Sequence, residues 1–485
     1  MPLVVFLVSS IILGWGLGDL RLGEGDLVAN EGINAQDEAV YSFAAREMAR
    51  SGDWVTPQFL GRYFLYKPPA VYWLSGVSAA LLGDHAASYR IPAVLASAAT
   101  CALLFAAVVR TSGWTAAYAA WFVLLSCPLW ISLARRNVTD PIFCFAVTLA
   151  VVHARRAGWA FSVGTALAIL TKGAAGAIPL AVAAVAWMTA GQDQRPALRQ
   201  VLVAVGRVAL LAAPWFAIQM WLHPRWFYEE FVRVELLAWG LQAPPQLSAE
   251  PFWWFYGKHL VEQHGLPVLL AAMGCLMAIR RGDRTILVPV LWALAMTVAI
   301  GGYSFRHATY LMPLIPAIAW LAASAPRWTH WIWLAAAPLL VVNAAFVAQG
   351  SRAVQPSIAA LEQRVSAGVT SPLLVMGTGD HFHAALLPFP SVRYVMLDSS
   401  LPPKGFALDF RSMGIAVSVD EFLNLKDHRT RFEQVQREWG LSRHGATATV
   451  ILFRDGAELQ RLKDGAPAYD ILETGPDAKV IMARQ

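Results

Sequence analysis

A carboxylate pair, Asp37-Glu38, and a lysine, Lys67, share one polar stretch between hydrophobic segments, residues 34–69 (NAQDEAVYSFAAREMARSGDWVTPQFLGRYFLYKPP). An amphipathic, helix-like run over 41–50 follows the pair and carries Arg46, Glu47 and Arg50. Ser51-Gly52-Asp53 then breaks the helix, as small, φ-permissive residues do. The stretch ends in a basic, aromatic turn, Gly61-Arg62-Tyr63-Phe64-Leu65-Tyr66-Lys67-Pro68-Pro69. Carboxylates orient or remove protons, and an ammonium stabilises developing negative charge. At the lip of a membrane this set suits a polar substrate carried on a lipid. The acidic pair alone would equally mark an ordinary solvated loop with a helix starting at Asp37.

Similar residues recur in short turns further on: Arg135, Arg136 and Asp140 in ARRNVTDP, Lys172 in LTKG, and Arg306, His307 and Tyr310 in GGYSFRHATYLMP. Each is weak by itself. Charges at membrane level are expensive and usually functional, so their falling on one side would count for more.

Composition says what must hold these groups. Of 485 residues, 57% are hydrophobic and only 14% charged, with mean hydropathy +0.48. Soluble domains carry about 25% charged residues, so most of this chain belongs in lipid. The run 3–17 lacks a basic leader and a small-residue cleavage site, and reads as a retained first span. The net charge of +6 fits basic cytoplasmic loops. It does not indicate nucleic acid, because the arginines are scattered between spans. Cys101, Cys127, Cys144 and Cys275 all lie in hydrophobic segments without metal-ligand spacing, so no disulfide or cysteine metal site is expected.

A span needs about 20 apolar residues. Candidates are 3–20, 91–109, 114–133, 141–154, 158–170, 174–188, 201–222, 266–279, 286–300, 308–323 and 331–347. The short segment 70–83 reads as an interfacial helix with Tyr72 and Trp73 in the aromatic belt. With that choice Arg110, Arg155-Arg156, Arg195, Arg199, Arg280-Arg281, Arg284 and Arg327 share the cytoplasmic side. The expected architecture is therefore a polytopic α-helical membrane protein of about eleven spans, with an inside N-terminus and a membrane module over 1–350. Its first external loop is 21–69. A second, 223–264, is rich in Trp and Tyr and reads as interfacial helices, mostly an aromatic belt without chemistry. The segments 141–154 and 158–170 are short enough to form a hairpin that does not cross.

From about residue 351 the chain turns soluble in character. Short apolar runs at 373–376, 392–396, 414–419 and 447–453 read as strands, and helical patterns at 358–365, 383–387 and 429–439 separate them. That alternation suggests a small α/β domain over 351–485, facing outward by parity. Gly377-Thr378-Gly379-Asp380 is no phosphate-binding fingerprint, and His381 and His383 read as surface residues.

The polar cluster would support displacement at an anomeric carbon with a lipid phosphate leaving. Cations would hold the phosphate charge as it develops, here Lys67, Lys172 and Arg306. A carboxylate, Asp37 or Asp140, would orient or deprotonate the acceptor or stabilise ring charge. Tyr63, Tyr66 and Tyr310 would stack on or hydrogen-bond the sugar.

Asp37-Glu38 after a first span, followed by REMARSGDWVTPQFLGRYFLYKPPAVYWL, resembles the first external loop of the polyprenol-phosphate-sugar glycosyltransferases of the protein mannosyltransferase superfamily. Its bacterial 4-amino-4-deoxy-L-arabinose (lipid A) transferase branch is the most similar. VTDP at 138–141, LTKG at 170–173, APWF at 213–216 and RHATYLMP at 306–313 resemble later landmarks in the same order, so the likeness covers roughly residues 1–325. It implies the C-type membrane glycosyltransferase fold and an inverting transfer from an undecaprenyl-phosphate sugar, without nucleotide, to a lipid A-like glycolipid, glycan or protein acceptor. The setting implied is the outer face of a bacterial inner membrane, with the site and the C-terminal domain periplasmic. On it, Asp37 is the catalytic carboxylate, with Glu38 and Asp140 the other acidic candidates. It also puts Lys67, Lys172 and Tyr310 in the donor-phosphate region; beside the resemblance, Arg306 and His307 are further donor-phosphate candidates, and Arg62, Tyr63, Tyr66 and Arg136 are substrate-binding candidates. No metal ligand set is assigned, no cofactor is fixed, and a divalent cation stays open. The chain departs from the branch at Ala39-Val40-Tyr41, where Thr-Arg-Tyr is usual, at Tyr66 in place of Glu, and at Arg306-His307 in place of lysine. A transporter or flippase of lipid-linked sugars is the alternative from another class. It would call for repeated halves or mid-membrane polar residues in broken spans, and the cluster here lies at one face.

Overall fold

The computed structural model describes residues 1–17, 31–59, 62–191, 195–241 and 250–324, together with six strands in the C-terminal tail. Two compact units result. One comprises Met1–Leu17 and Tyr66–Ser351, the other Gly18–Leu65 and Arg352–Gln485. The polar stretch is thus divided, with Lys67 in the first unit and Asp37 in the second.

The first unit is helical. α1 (Pro2–Gly14), α3 (Ala70–Leu82), α4 (Ala86–Ser112), α5 (Trp114–Leu125), α6 (Pro128–Ala134), α7 (Thr139–Val152), α8 (Trp159–Lys172), α9 (Ile178–Thr189) and α10 (Leu198–Leu222) make up its first two-thirds. A π-helix, Phe227–Trp239, follows, then helices Phe252–Arg280 and Leu287–Gly301, a 3₁₀ segment, Ala308–Leu314, and helix Ile315–Ala323. Large apolar side chains stand bare on the outside of these helices, among them Leu3 (68% exposed) and Ile11 (65%) on α1 and Leu198 (73%) and Leu210 (70%) on α10. On helices this apolar, such surface fits contact with lipid.

Three runs among the described residues, Ala86–Ser112, Trp159–Thr189 and Leu198–Leu222, are long and apolar enough to cross a membrane. Counting two bent pairs as one span each makes five, and five more apolar helices are shorter. The expected span at 331–347 lies outside the described residues.

The run Trp159–Thr189 is not one rod. Gly173, at φ 55° and ψ −123°, ends α8 in a conformation that an L side chain rarely adopts. The chain then folds back so tightly that a Cβ on Gly176 would sit 2.2 Å from the Ile169 nitrogen. α9 consequently returns beside α8, with Trp187 at its end 5.8 Å from Phe161 at the start of α8 and donating to the Ala154 carbonyl at 2.9 Å. Treating 158–170 and 174–188 as separate segments therefore matches the chain path. α7 and α8 are antiparallel too, packed closely because Gly164 has no side chain: a Cβ there would meet the Ala150 nitrogen at 2.7 Å.

These reversals sort the charges. At one end of the helices Ala150, Ala154, Ala157, Phe161, Ala183 and Ala204 form a core. Arg155 and Arg156 follow α7 there, and Arg195 donates to the Met188 and Ala190 carbonyls at the end of α9. The other end holds Asp140 and Lys172, and there Arg90 donates to the Leu17 carbonyl and Arg135 to that of Leu13. One reading is corrected. Tyr72 is fully buried in protein rather than placed in an aromatic belt, because α3 packs against α4 and α8.

In the second unit, α2 (Glu31–Ser51) ends where the sequence predicts, with Gly52 at φ 75°. Asp53 accepts hydrogen bonds from the Val55 and Thr56 amides, both at 3.0 Å. β1 (Gln58–Phe59) and β2 (Arg62–Tyr63) pair as a short hairpin. In the tail, β3 (Leu373–Gly377), β8 (Ala478–Ala483) and β7 (Tyr469–Glu473) form an antiparallel sheet in that order. β5 (Ala416–Val417), β4 (Val392–Leu397) and β6 (Ala448–Phe453) form a parallel one. β3, β4, β5 and β6 overlap the expected strands at 373–376, 392–396, 414–419 and 447–453, β5 covering only two residues of its stretch, and β7 and β8 are additions. The helical patterns at 358–365, 383–387 and 429–439, and His381 and His383, lie outside the described residues.

Candidate active site

Asp140 stands in the first turn of α7 and Lys172 is the last residue of α8. Each charge suits the helix end it occupies. Because the helices are antiparallel, those ends meet, and the Lys172 ammonium donates to Asp140 Oδ1 at 2.8 Å. Asp140 is buried. The same ammonium lies 5.0 Å from the centre of the Tyr310 ring and 5.6 Å from that of Phe143, within cation–π range.

Lys67 precedes Pro68-Pro69, and Pro69 caps α3, so its backbone is held by two rings and a helix start. Its ammonium forms an ion pair with Glu235. Glu235 stands on the π-helix, a winding that is rare and often found at functional sites. Phe231 on the same helix touches Gly173, where a Cβ would come within 3.0 Å of its ring. The turn carrying Lys172 and the helix carrying Glu235 are thereby packed together.

A third wall comes from residues 302–314. Tyr303 donates to the Glu235 carbonyl at 3.3 Å and its ring lies 5.7 Å from that of Tyr310. Burial, and then the nearby Glu235 carboxylate, push the Tyr303 phenol above the ordinary tyrosine range. His307 caps the 3₁₀ segment, its Nδ1 2.7 Å from Thr309 Oγ1. Lys67, Lys172, Glu235, Tyr303 and Tyr310 line a cavity of about 360 Å³ that is otherwise walled by apolar groups such as Ile178, Met296 and Ile300. Two cations on a greasy wall can hold an anionic headgroup while an attached chain stays in apolar surroundings.

Of the candidates named from sequence, Lys67, Lys172 and Tyr310 reach this cavity, and Asp140 is bound to one of them. His307, Arg136 and Tyr66 are buried, and Arg306 is half-buried. Asp37, Glu38 and Tyr63 belong to the second unit. On α2, Asp37 is half-buried and accepts from the Tyr41 hydroxyl at 3.2 Å, while Glu38 is fully buried. The Arg62 side chain lies outside the described residues. Sequence reading missed Glu235 and Tyr303. The usable signal for Glu235 was an acid set among apolar and aromatic residues in RWFYEEFVRVELLAW. No group of three or more His, Cys, Asp or Glu side chains fit to hold a metal occurs among the described residues.

Helices with lipid-facing apolar surfaces and a polar cluster confined to one end define a multi-pass membrane protein. Residues 66–221 match the family described as dolichyl-phosphate-mannose-protein mannosyltransferase. The chain is 28% identical over 319 residues to undecaprenyl phosphate-alpha-4-amino-4-deoxy-L-arabinose arabinosyl transferase 1 of Pseudomonas fluorescens, covering 62% of this chain and 55% of that one. It is 31% identical over 251 residues to the corresponding transferase of Edwardsiella ictaluri, covering 49% and 43%. The chain thus spans about half the length of the curated relatives it matches. Its fold is similar to that of ArnT from Cupriavidus metallidurans, solved bound to undecaprenyl phosphate, with TM-score 0.71, 19% identity and coverage of 99% and 97%. The archaeal oligosaccharyltransferase AglB from Archaeoglobus fulgidus is more distant, at TM-score 0.50 and 13% identity, covering 91% and 68%. By these matches the chain is similar to the protein mannosyltransferase superfamily and, within it, to the aminoarabinose-transferase-like branch.

Proposed function

We propose that this protein is an inverting glycosyltransferase that moves a sugar from undecaprenyl phosphate to an envelope acceptor at the outer face of a bacterial inner membrane. The observation that carries the reading is the pair of lysines, Lys67 and Lys172, on one cavity walled mostly by apolar groups at the end of the helices away from Arg155, Arg156 and Arg195. The names of the relatives at 28% and 31% identity support the donor class.

In this reading the bond between the anomeric carbon and the phosphate oxygen breaks, and the acceptor oxygen bonds the same carbon from the opposite face. The departing phosphate oxygen keeps the bonding electron pair, and Lys67 and Lys172 stabilise the negative charge that develops on it. Tyr310 and Tyr303 bound the space beside it. Asp37 carries over from the sequence resemblance as the carboxylate that orients or deprotonates the acceptor, with Arg306 and His307 as further donor-side groups. The acceptor is a lipid A-like glycolipid, a glycan or a protein. The eleven-span count and an outward-facing α/β tail complete the proposal.

The test is to incubate the purified protein with a panel of radiolabelled undecaprenyl-phosphate sugars and total envelope acceptors. Label passing to an acceptor in the wild type and not in a Lys67→Ala, Lys172→Ala variant supports the reading. Binding of the lipids without any transfer, for every donor tried, would count against an enzyme.

A further inference from the structure

Four charges meet at the cavity, and they cancel: Lys67 is paired with Glu235, and Lys172 with Asp140. Each lysine already carries a carboxylate, so an arriving phosphate must compete with at least one of them. The two pairs are held differently. Asp140 and Lys172 occupy the end turns of helices in glycine-close contact, their side chains are only 8% and 13% exposed, and aromatic rings flank the ammonium. Lys67 and Glu235 are more open, at 20% and 16%, and Glu235 rides on the wide-wound π-helix.

We infer that Glu235 is a built-in competitor of the lipid phosphate for Lys67, a positioning residue that sets how tightly donor and spent carrier are held. The inference rests on the reading of Lys67 as a phosphate ligand. Transfer turns a phosphodiester with one negative charge into a monoester that carries up to two. Two bare lysines would hold that product more tightly than the substrate and would slow its release. A carboxylate within reach of Lys67 counters this by reclaiming the ammonium as the carrier leaves. Glu235 touches no reacting atom in this scheme and acts through Lys67.

The experiment uses the full chain in lipid nanodiscs and measures binding of undecaprenyl phosphate together with steady-state transfer. For Glu235→Gln, the carrier should bind roughly five- to tenfold tighter, the size expected when one part-exposed competing charge is removed. Donor KM and kcat should both fall, and product inhibition should set in at lower carrier concentration. Glu235→Asp, whose carboxylate is one methylene shorter, should give an intermediate shift and keeps the test available if the glutamine variant folds poorly. Inorganic phosphate should compete only weakly, since it lacks the chain. Unchanged or weaker carrier binding in both Glu235 variants, with Lys67→Ala still losing affinity, would overturn the inference and make Glu235 a mere support for Lys67. Undiminished binding in Lys67→Ala would instead overturn the reading on which it rests.

Discussion

Lys172, at the last turn of α8, donates to Asp140, at the first turn of α7, across 2.8 Å. Thirty-two residues separate them in sequence, and the bond exists because two antiparallel helices end at the same level. Breaking one side of a buried pair leaves the other charge uncompensated, at about 3–5 kcal/mol. Lys172→Met should therefore lower the thermal melting point in detergent markedly. Asp140→Asn with Lys172→Met should recover most of that stability without recovering transfer. A single Lys172→Met variant that melts like the wild type would show the pair to be energetically idle.

Lys67 is tested by charge and by shape. Lys67→Ala should cut transfer by about 10²–10³ while the protein still inserts, since a phosphate contact formed in the transition state is worth a few kcal/mol. Lys67→Arg should rescue only part of this, because a planar fork does not replace a point charge beside Glu235. The readout is donor turnover at equal amounts of folded protein, and wild-type turnover in Lys67→Ala would remove the residue from the site.

On α2, Asp37 and Glu38 should separate by phenotype. Asp37→Asn keeps the size but cannot take a proton, and with a hydroxyl acceptor it should cost about 10²–10⁴ in rate. It should melt normally, because Asp37 is half-buried and bonded to the Tyr41 hydroxyl. Glu38→Gln changes a fully buried group, so its effect should appear first in stability, at about 1–3 kcal/mol. Full turnover in Asp37→Asn would refute its proposed role.

The glycines of the α8–α9 reversal should be intolerant. Gly176→Ala places a methyl 2.2 Å from the Ile169 backbone nitrogen, which no rotamer can relieve. Folded yield should collapse, or Lys172 should be displaced and transfer lost. Gly206→Ala in α10 meets nothing within 4 Å and should be neutral or stabilising by up to about 1 kcal/mol. Size-exclusion profiles of the two variants decide the matter, and equal profiles would contradict the packing.

Sidedness can be read by thiol labelling. In a cysteine-free background, cysteines at His85 and Arg155, both exposed positions, should be labelled from opposite sides by an impermeant reagent in intact spheroplasts. Labelling of both from outside would show that the ends sorted by the helix reversals do not face opposite compartments.

The sequence by itself determined the class of structure, because apolar runs and a shortage of charge are properties of composition that no packing can reverse. It also determined the turn chemistry at Ser51-Gly52-Asp53 and named Lys67, Asp140, Lys172 and Tyr310, since a charge next to an apolar run is conspicuous in one dimension. It could not assign partners. Lys67 meets Glu235 across 168 residues, and Asp140 meets Lys172 only because Gly164 and Gly173 set the separation and the end of α8. Glu235 is inconspicuous among its aromatic neighbours, and Tyr72, which the sequence places at an interface, is packed inward by α3. Only tertiary structure decided these, because pairing depends on where helices stop and which faces meet, and neither is written at the position of the residue itself.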